Sequence, residues 1–209
     1  MDERAAAGSA QVQQSEGDQL LAALGARRLA LPIPFVQAGG PVNAYLIENA
    51  DGSLTLFDTG LDTPECSEAL LAGIAAGGRR VEEISRVLIS HGHVDHWGLA
   101  RMVQERSGAR VYLHRDDWNK VVVGYEPDLA DGHLERLGLA PELVRRITSM
   151  HSATEAFGRR LERVERLEPG TRFGFARFEG EVLHFPGHTP GLVCLHVPAH
   201  RLLFTDDHL

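Results

Sequence analysis

The chain belongs by its sequence to the α/β (α+β) class, with mixed sheets flanked by outer helices. Three features predict this. Short β-branched runs alternate with helical segments through the first half, the chain returns to closely spaced strands in its last quarter, and 209 residues with 43% hydrophobic content suffice for one sizeable core.

Met1–Leu20 is rich in Ala, Gly, Ser, Gln and acidic residues and has no basic stretch followed by an apolar one, so it does not read as a secretory signal. Residues 1–27 are expected to form a disordered or weakly helical tail, with a short helix around Asp18–Leu24. The domain is expected to start at Arg28 and run to Leu209. Two prolines within Arg28–Phe35 mark an edge strand, and Gly39-Gly40-Pro41 marks a turn. Val42–Glu48 and Leu54–Phe57 flank Asn49-Ala50-Asp51-Gly52, whose Asp-Gly pair predicts a hairpin. The second of these strands runs into Asp58-Thr59-Gly60. A carboxylate at that position is a candidate to fix the orientation of a metal-ligating histidine, and capping a turn is its plainer role.

Thr63-Pro64-Glu65 opens a helix to about Ala76, with Thr63 as N-cap and Pro64 in the first helical position. Val87–Ile89 reads as a buried strand, followed by a helix from about Trp97 to Ser107, which Gly108 stops, and by a strand over Arg110–His114. Residues 115–163 read as a charged helical insertion, broken at Gly124–Pro127, Gly132 and Gly138–Pro141. Trp118, Val121, Val122 and Tyr125 sit there at helical spacing and are assigned chiefly to the core, whereas His133 and His151 lack ligand-type neighbours. The final quarter reads as strands over Arg163–Leu167, Arg172–Phe178, Glu181–Phe185, Leu192–Val197 and Arg201–Thr205, with turns at Glu168-Pro169-Gly170, Glu179-Gly180 and Pro198–His200.

The chemically densest stretch is Ser90-His91-Gly92-His93-Val94-Asp95-His96, on the loop leaving the Val87–Ile89 strand. Imidazole and carboxylate are ligands that a divalent ion such as zinc accepts, and the spacing lets two neighbouring metal positions share the loop. A solvated polar loop is the competing explanation, and so dense a set of ligand types weighs against it. Pro186-Gly187-His188-Thr189-Pro190-Gly191 pins His188 on a tightly constrained turn, as a metal ligand requires.

The formal net charge of -8 argues against a nucleic-acid partner and against an anionic membrane surface. No apolar run is long enough to span a bilayer. Cys66 and Cys194 do not make a disulfide framework, so a soluble, cytoplasmic protein is expected.

Taken in order, Asp58-Thr59-Gly60, the His91-x-His93-x-Asp95-His96 motif, Gly187-His188-Thr189-Pro190-Gly191 and Phe204-Thr205-Asp206-Asp207-His208 resemble the metallo-β-lactamase superfamily, and most of all its glyoxalase II-like hydrolases. The resemblance covers about Leu29–Leu209 and implies an αβ/βα sandwich with a dinuclear metal centre at one edge. It implies that His91, His93 and His188 hold a first metal, that Asp95 and His96 hold a second, and that Asp207 bridges them, with Asp58 behind the ligands. The family usually has Gly where this chain has Asp206, which leaves Asp206 and Asp207 both in view as the bridge. Zinc, one ion or two, is the expected cofactor, with iron or manganese as alternatives.

On that assignment metal-bound hydroxide attacks a small ester, thioester or lactone, and Asp95 orients the attacking water. A mononuclear iron enzyme of the persulfide dioxygenase type, using His91, His188 and Asp207, is the alternative. The family also implies a longer C-terminal part that closes the sheet and supplies a last histidine. The expectation is therefore a truncated chain, which is either inactive alone or pairs with another chain, a homo-oligomer included.

Overall fold

A computed structural model describes residues 15–34, 40–124 and 132–208. Residues 1–14, Phe35–Gly39, Tyr125 with the rest of the break to Asp131, and Leu209 lie outside that description, as do the side chains of His133 and His151. The elements are α1 (Glu16–Ala23), β1 (Ala26–Leu31), β2 (Val42–Glu48), β3 (Leu54–Phe57), α2 (Pro64–Ala75), β4 (Ile84–Leu88), α3 (Val94–Trp97), α4 (Ala100–Ser107) and β5 (Arg110–Leu113). They continue with α5 (His133–Arg136), α6 (Pro141–Glu155), β6 (Glu165–Arg166), β7 (Arg172–Gly174), β8 (Glu179–His184), β9 (Val193–Val197) and β10 (Leu202–Phe204).

One sheet has the order β1-β2-β3-β4-β5-β6, antiparallel through β3 and parallel from β3 onward. The other, β10-β9-β8-β7, is antiparallel throughout. Alternation along the strands of the first sheet creates two cores. Leu46, Leu56, Val87 and Val111 face α2 and α4 with Leu70, Ile74 and Val103, whereas Ile47, Phe57 and Leu88 face the second sheet and meet Phe173, Val182, Leu195 and Phe204. All four residues of β3 are buried, as expected of a strand covered on both faces.

Several local expectations hold for identifiable reasons. The Thr63 hydroxyl accepts the Cys66 amide at 3.2 Å and Pro64 occupies the first turn, so α2 starts where its cap dictates. β1 lies at a sheet edge and ends before Pro32. Val121 is buried, Trp118 and Val122 are half-buried, and Gly124 ends the helical turn Asn119–Val123 with φ 73°. Cys66 and Cys194 are buried and unpaired.

Others need correction. The short helix expected around Asp18–Leu24 is present at Glu16–Ala23, capped by Ser15, but it is no loose tail: Leu21 and Leu24 are buried in the inter-sheet core and β1 starts at Ala26 rather than Arg28. The turn expected at Glu179-Gly180 lies at Phe175–Phe178 instead, where the Phe175 amide donates to the Phe178 carbonyl at 2.8 Å. Gly180 is inside β8, and a Cβ there would meet Leu195 Cδ1 at 2.8 Å. Its glycine therefore serves packing between strands rather than turning. The helix expected from Trp97 begins earlier, with His93 as the extended N-cap of α3, so Asp95 and His96 stand on a helical turn.

Candidate metal centre

The parallel strands β3 and β4 end side by side, and their C-terminal loops carry Asp58 and the histidine cluster. The β8–β9 turn brings His188 to the same edge, and the chain leaving β10 brings Asp206 and Asp207. His91, His93, Asp95, His96, His188, Asp207 and Asp58 thus converge from segments far apart in sequence.

Asp58 is fully buried and has φ 60°, a left-handed kink that aspartate tolerates. The kink turns its carboxylate back under the histidine loop. Oδ1 accepts the Ser90 amide at 2.7 Å, and Oδ2 accepts the Ser90 hydroxyl at 2.6 Å and His96 Nδ1 at 2.7 Å. Because the Ser90 proton goes to Asp58, Ser90 Oγ is left to accept from His91 Nδ1, at 2.9 Å. Both imidazoles are thereby held through Nδ1, so that the neutral form of each turns its Nε2 lone pair toward the loop interior.

On one side of that interior, His91 Nε2 lies 3.1 Å and His188 Nε2 2.9 Å from His93 Nδ1. Asp207 Oδ2 is 3.2 Å from His188 Nε2 and 3.9 Å from His91 Nε2. On the other side, His96 Nε2 lies 3.6 Å from Asp95 Oδ2 and 3.6 Å from Asp207 Oδ1. The two oxygens of Asp207 therefore face the two sides. Asp206 takes a different place: its side chain is 2% exposed and approaches His96 Nδ1 at 3.6 Å, beside Asp58.

This donor set fits a cation. A single proton on His93 Nδ1 can serve only one of the two imidazole nitrogens that press on it, whereas a divalent ion accepts every lone pair in the group. His96 Nε2 and Asp206 Oδ2 are buried polar atoms with no hydrogen-bond partner, and such orphans are rare away from functional sites.

The electrostatics agree. Burial, then the neighbouring imidazoles His96, His93 and His188, hold His91 neutral far below its usual range. Burial followed by His188 and Lys120 takes His93 down to about 4. Burial also opposes charge on His96, but Asp58, Asp206 and Asp207 outweigh it and raise His96 well above the ordinary imidazole value. Burial and the adjacent Asp58 charge raise Asp206, whereas the hydrogen bond to His96 lowers Asp207 despite partial burial. Burial thus keeps His91 and His93 unprotonated, while the acids around His96 draw positive charge toward it.

Sequence reasoning missed two residues. Ser90 relays Asp58 to His91, and nothing in a serine at a strand end announces that role. Asp117, fully buried, accepts bonds from both the histidine loop and the His188 turn; the one available signal was its place just after a parallel strand, where site residues collect. His114, Asp116 and His184 also approach one another. The two rings are stacked at 4.1 Å with planes 23° apart, so their lone pairs run side by side rather than toward a shared point.

The class of protein defined by this fold and site is identified by the family comparison: residues 38–209 match the metallo-beta-lactamase superfamily, and the chain belongs to it. Among its relatives is the "Probable metallo-hydrolase YqjP" of Bacillus subtilis, 26% identical over 183 residues, which cover 85% of this chain and 56% of that protein. A metallo-beta-lactamase family protein of Thermus thermophilus superposes with TM-score 0.66 at 27% identity, covering 87% of this chain and 58% of that one. A beta-lactamase domain protein of Burkholderia ambifaria, at TM-score 0.67 and 24% identity, covers 86% of this chain and 52% of its own and shares the fold. The chain therefore spans little more than half the length of these relatives. A stretch of 40 residues, 19% of this chain and 16% of the other, is 50% identical to the "Hydroxyacylglutathione hydrolase" of Rhizobium meliloti. Among the described residues no helix is long and apolar enough to cross a membrane.

Proposed function

We propose that this chain carries the metal centre of a metal-dependent hydrolase acting on a small ester, thioester or lactone, with zinc as the preferred ion. The observation that supports this most is the convergence of His91, His93, His188 and Asp207 on one point beside His96, with Asp58 fixing the imidazoles from behind. These residues would hold a divalent ion, which when bound would supply an activated water near neutral pH and a Lewis acid for a carbonyl.

The chain's own residues supply the rest. Asp58, directly and through Ser90, keeps the Nε2 lone pairs of His96 and His91 presented. Asp95 faces the interior from α3, where it orients water and accepts its proton. Asp207 joins the two sides. The insertion at residues 115–163 borders the site through Asp117 and Lys120 and is assigned the choice of substrate. The net charge of -8 favours a small-molecule substrate over nucleic acid. The names of two relatives, a probable metallo-hydrolase and a hydroxyacylglutathione hydrolase, point the same way.

Metal analysis of the purified chain, followed by zinc reconstitution and assays with small thioesters and lactones with and without a chelator, tests the reading. Bound zinc or manganese with chelator-sensitive hydrolysis is expected. Bound iron with oxygen consumption on a persulfide substrate would overturn it in favour of an oxygenase.

A further inference from the structure

We infer that Asp117 is a positioning residue for the metal centre, clamping the His91–His93 loop to the His188 turn so that their ligand atoms meet. This rests on the metal-centre reading above. Asp117 leaves the end of β5 through a short helical turn and is fully buried. Its Oδ2 accepts the Gly92 amide at 2.8 Å and the Thr189 hydroxyl at 2.6 Å, and its Oδ1 accepts the Gly191 amide at 3.2 Å. Gly92 lies between two ligand histidines, while Thr189 and Gly191 follow the third. One carboxylate therefore holds both loops at their tips, above the backbone bond from the Val193 amide to the Ser90 carbonyl at 2.9 Å that joins their bases.

The glycines show that close approach is built in. A Cβ at Gly92 would stand 3.1 Å from Asp117 Cβ and 2.9 Å from Lys120 Cδ, and one at Gly191 would stand 2.8 Å from Asp117 Cγ. Both motif glycines thus make room for the same side chain. A buried carboxylate accepting three bonds is satisfied where it sits, and its removal leaves two backbone amides and a hydroxyl without partners. Asparagine is not neutral here, because its NH2 must face at least one N–H donor; the least costly orientation sets it against Gly191 and loosens the His188 side first.

The test is Co2+ titration of the chelator-treated chain, read by its visible spectrum and by competition with a chromophoric chelator, together with melting of the metal-free protein. Loss of a residue that orients ligands typically weakens metal affinity about 10–100-fold. That range is expected for Asp117→Ala, with smaller losses and an altered Co2+ spectrum for Asp117→Asn and Thr189→Val. Should Asp117→Ala fail to fold, Thr189→Val decides, since it removes one hydroxyl at nearly constant volume. Weaker Co2+ binding with an altered spectrum, in a variant whose metal-free form is still folded at the titration temperature, supports the clamp; binding within about twofold of wild type with the same spectrum overturns it. A wild-type chain that binds Co2+ but hydrolyses nothing overturns only the hydrolase reading. A wild-type chain that takes up no Co2+ overturns both.

Discussion

Around His96 a fully buried carboxylate at the end of a central strand bonds the ligand imidazole itself, whereas around His188 the ligand is held only through its turn, which Asp117 ties down, and Asp207 follows an edge strand. The His91 and His96 side chains are inaccessible to solvent; those of His188 and Asp207 are 35% and 41% exposed. The buried side is assembled by folding itself, because Asp58 cannot be solvated any other way once β3 and β4 pair. The exposed side is held less directly: His188 stands in a Gly- and Pro-rich turn tied down by Asp117, and Asp207 on the chain leaving the edge strand.

The largest effect should come from the buried side. Asp58→Ala leaves the Ser90 amide and His96 Nδ1 without their acceptor in a dry site, at a cost of about 3–5 kcal/mol. Chemical denaturation of the metal-free protein should show it, whereas His188→Ala should change stability by no more than about 0.5 kcal/mol. Comparable losses for the two variants would erase the distinction between the sides.

Next in size is metal uptake. His91→Ala removes a ligand whose orientation is fixed by Ser90 and should abolish binding at the first position, while His200→Ala, exposed and remote from the ligands, should leave it intact. Equal losses, measured by metal content after dialysis, would show that the ligands are misassigned.

The two sides should also titrate in opposite senses. His93 is lowered to about 4 by burial, then by His188 and Lys120, against about 6.5 for an unfolded imidazole. Between those values the unfolded chain binds a proton that the folded chain refuses, so this contribution is present above pH 6.5 and is lost as pH falls toward 4. His96 is raised by Asp58, Asp206 and Asp207 against the effect of burial. Its contribution is fully present below the unfolded value and is lost as pH rises through the folded one. Imidazole proton resonances of the metal-free protein should show His93 neutral at pH 5.5 and His96 still charged at pH 7; coincident titrations would contradict the assignment.

How much of this was legible in the sequence follows the range of the interactions involved. Thr63-Pro64 and Asp51-Gly52 act within a few residues of themselves, so α2 and the β2–β3 hairpin could be placed from the chain alone. The candidate ligands stood out because four ligand-type side chains crowd into six residues. Asp117 was not, since its partners lie 25, 72 and 74 residues away and its own surroundings resemble any acidic turn. Gly180 misled for the same reason: glycine marks turns locally, but here the constraint is Leu195 on the neighbouring strand.

The smallest effect expected separates the two adjacent acids. Asp206 is buried beside Asp58, and burial together with the Asp58 charge raises its carboxyl well above the usual range, which favours its protonated form. Asparagine resembles that form and tolerates φ 43°, so Asp206→Asn should change stability and metal affinity little, within about 0.5 kcal/mol. Asp207 is held ionised by His96 and faces both sides of the centre. Asp207→Asn removes that charge and should weaken metal binding about tenfold or more. Metal titration of the two variants side by side decides which acid joins the two sides: a severe loss in Asp206→Asn with near-normal binding in Asp207→Asn would reverse the roles and place the junction on the buried side.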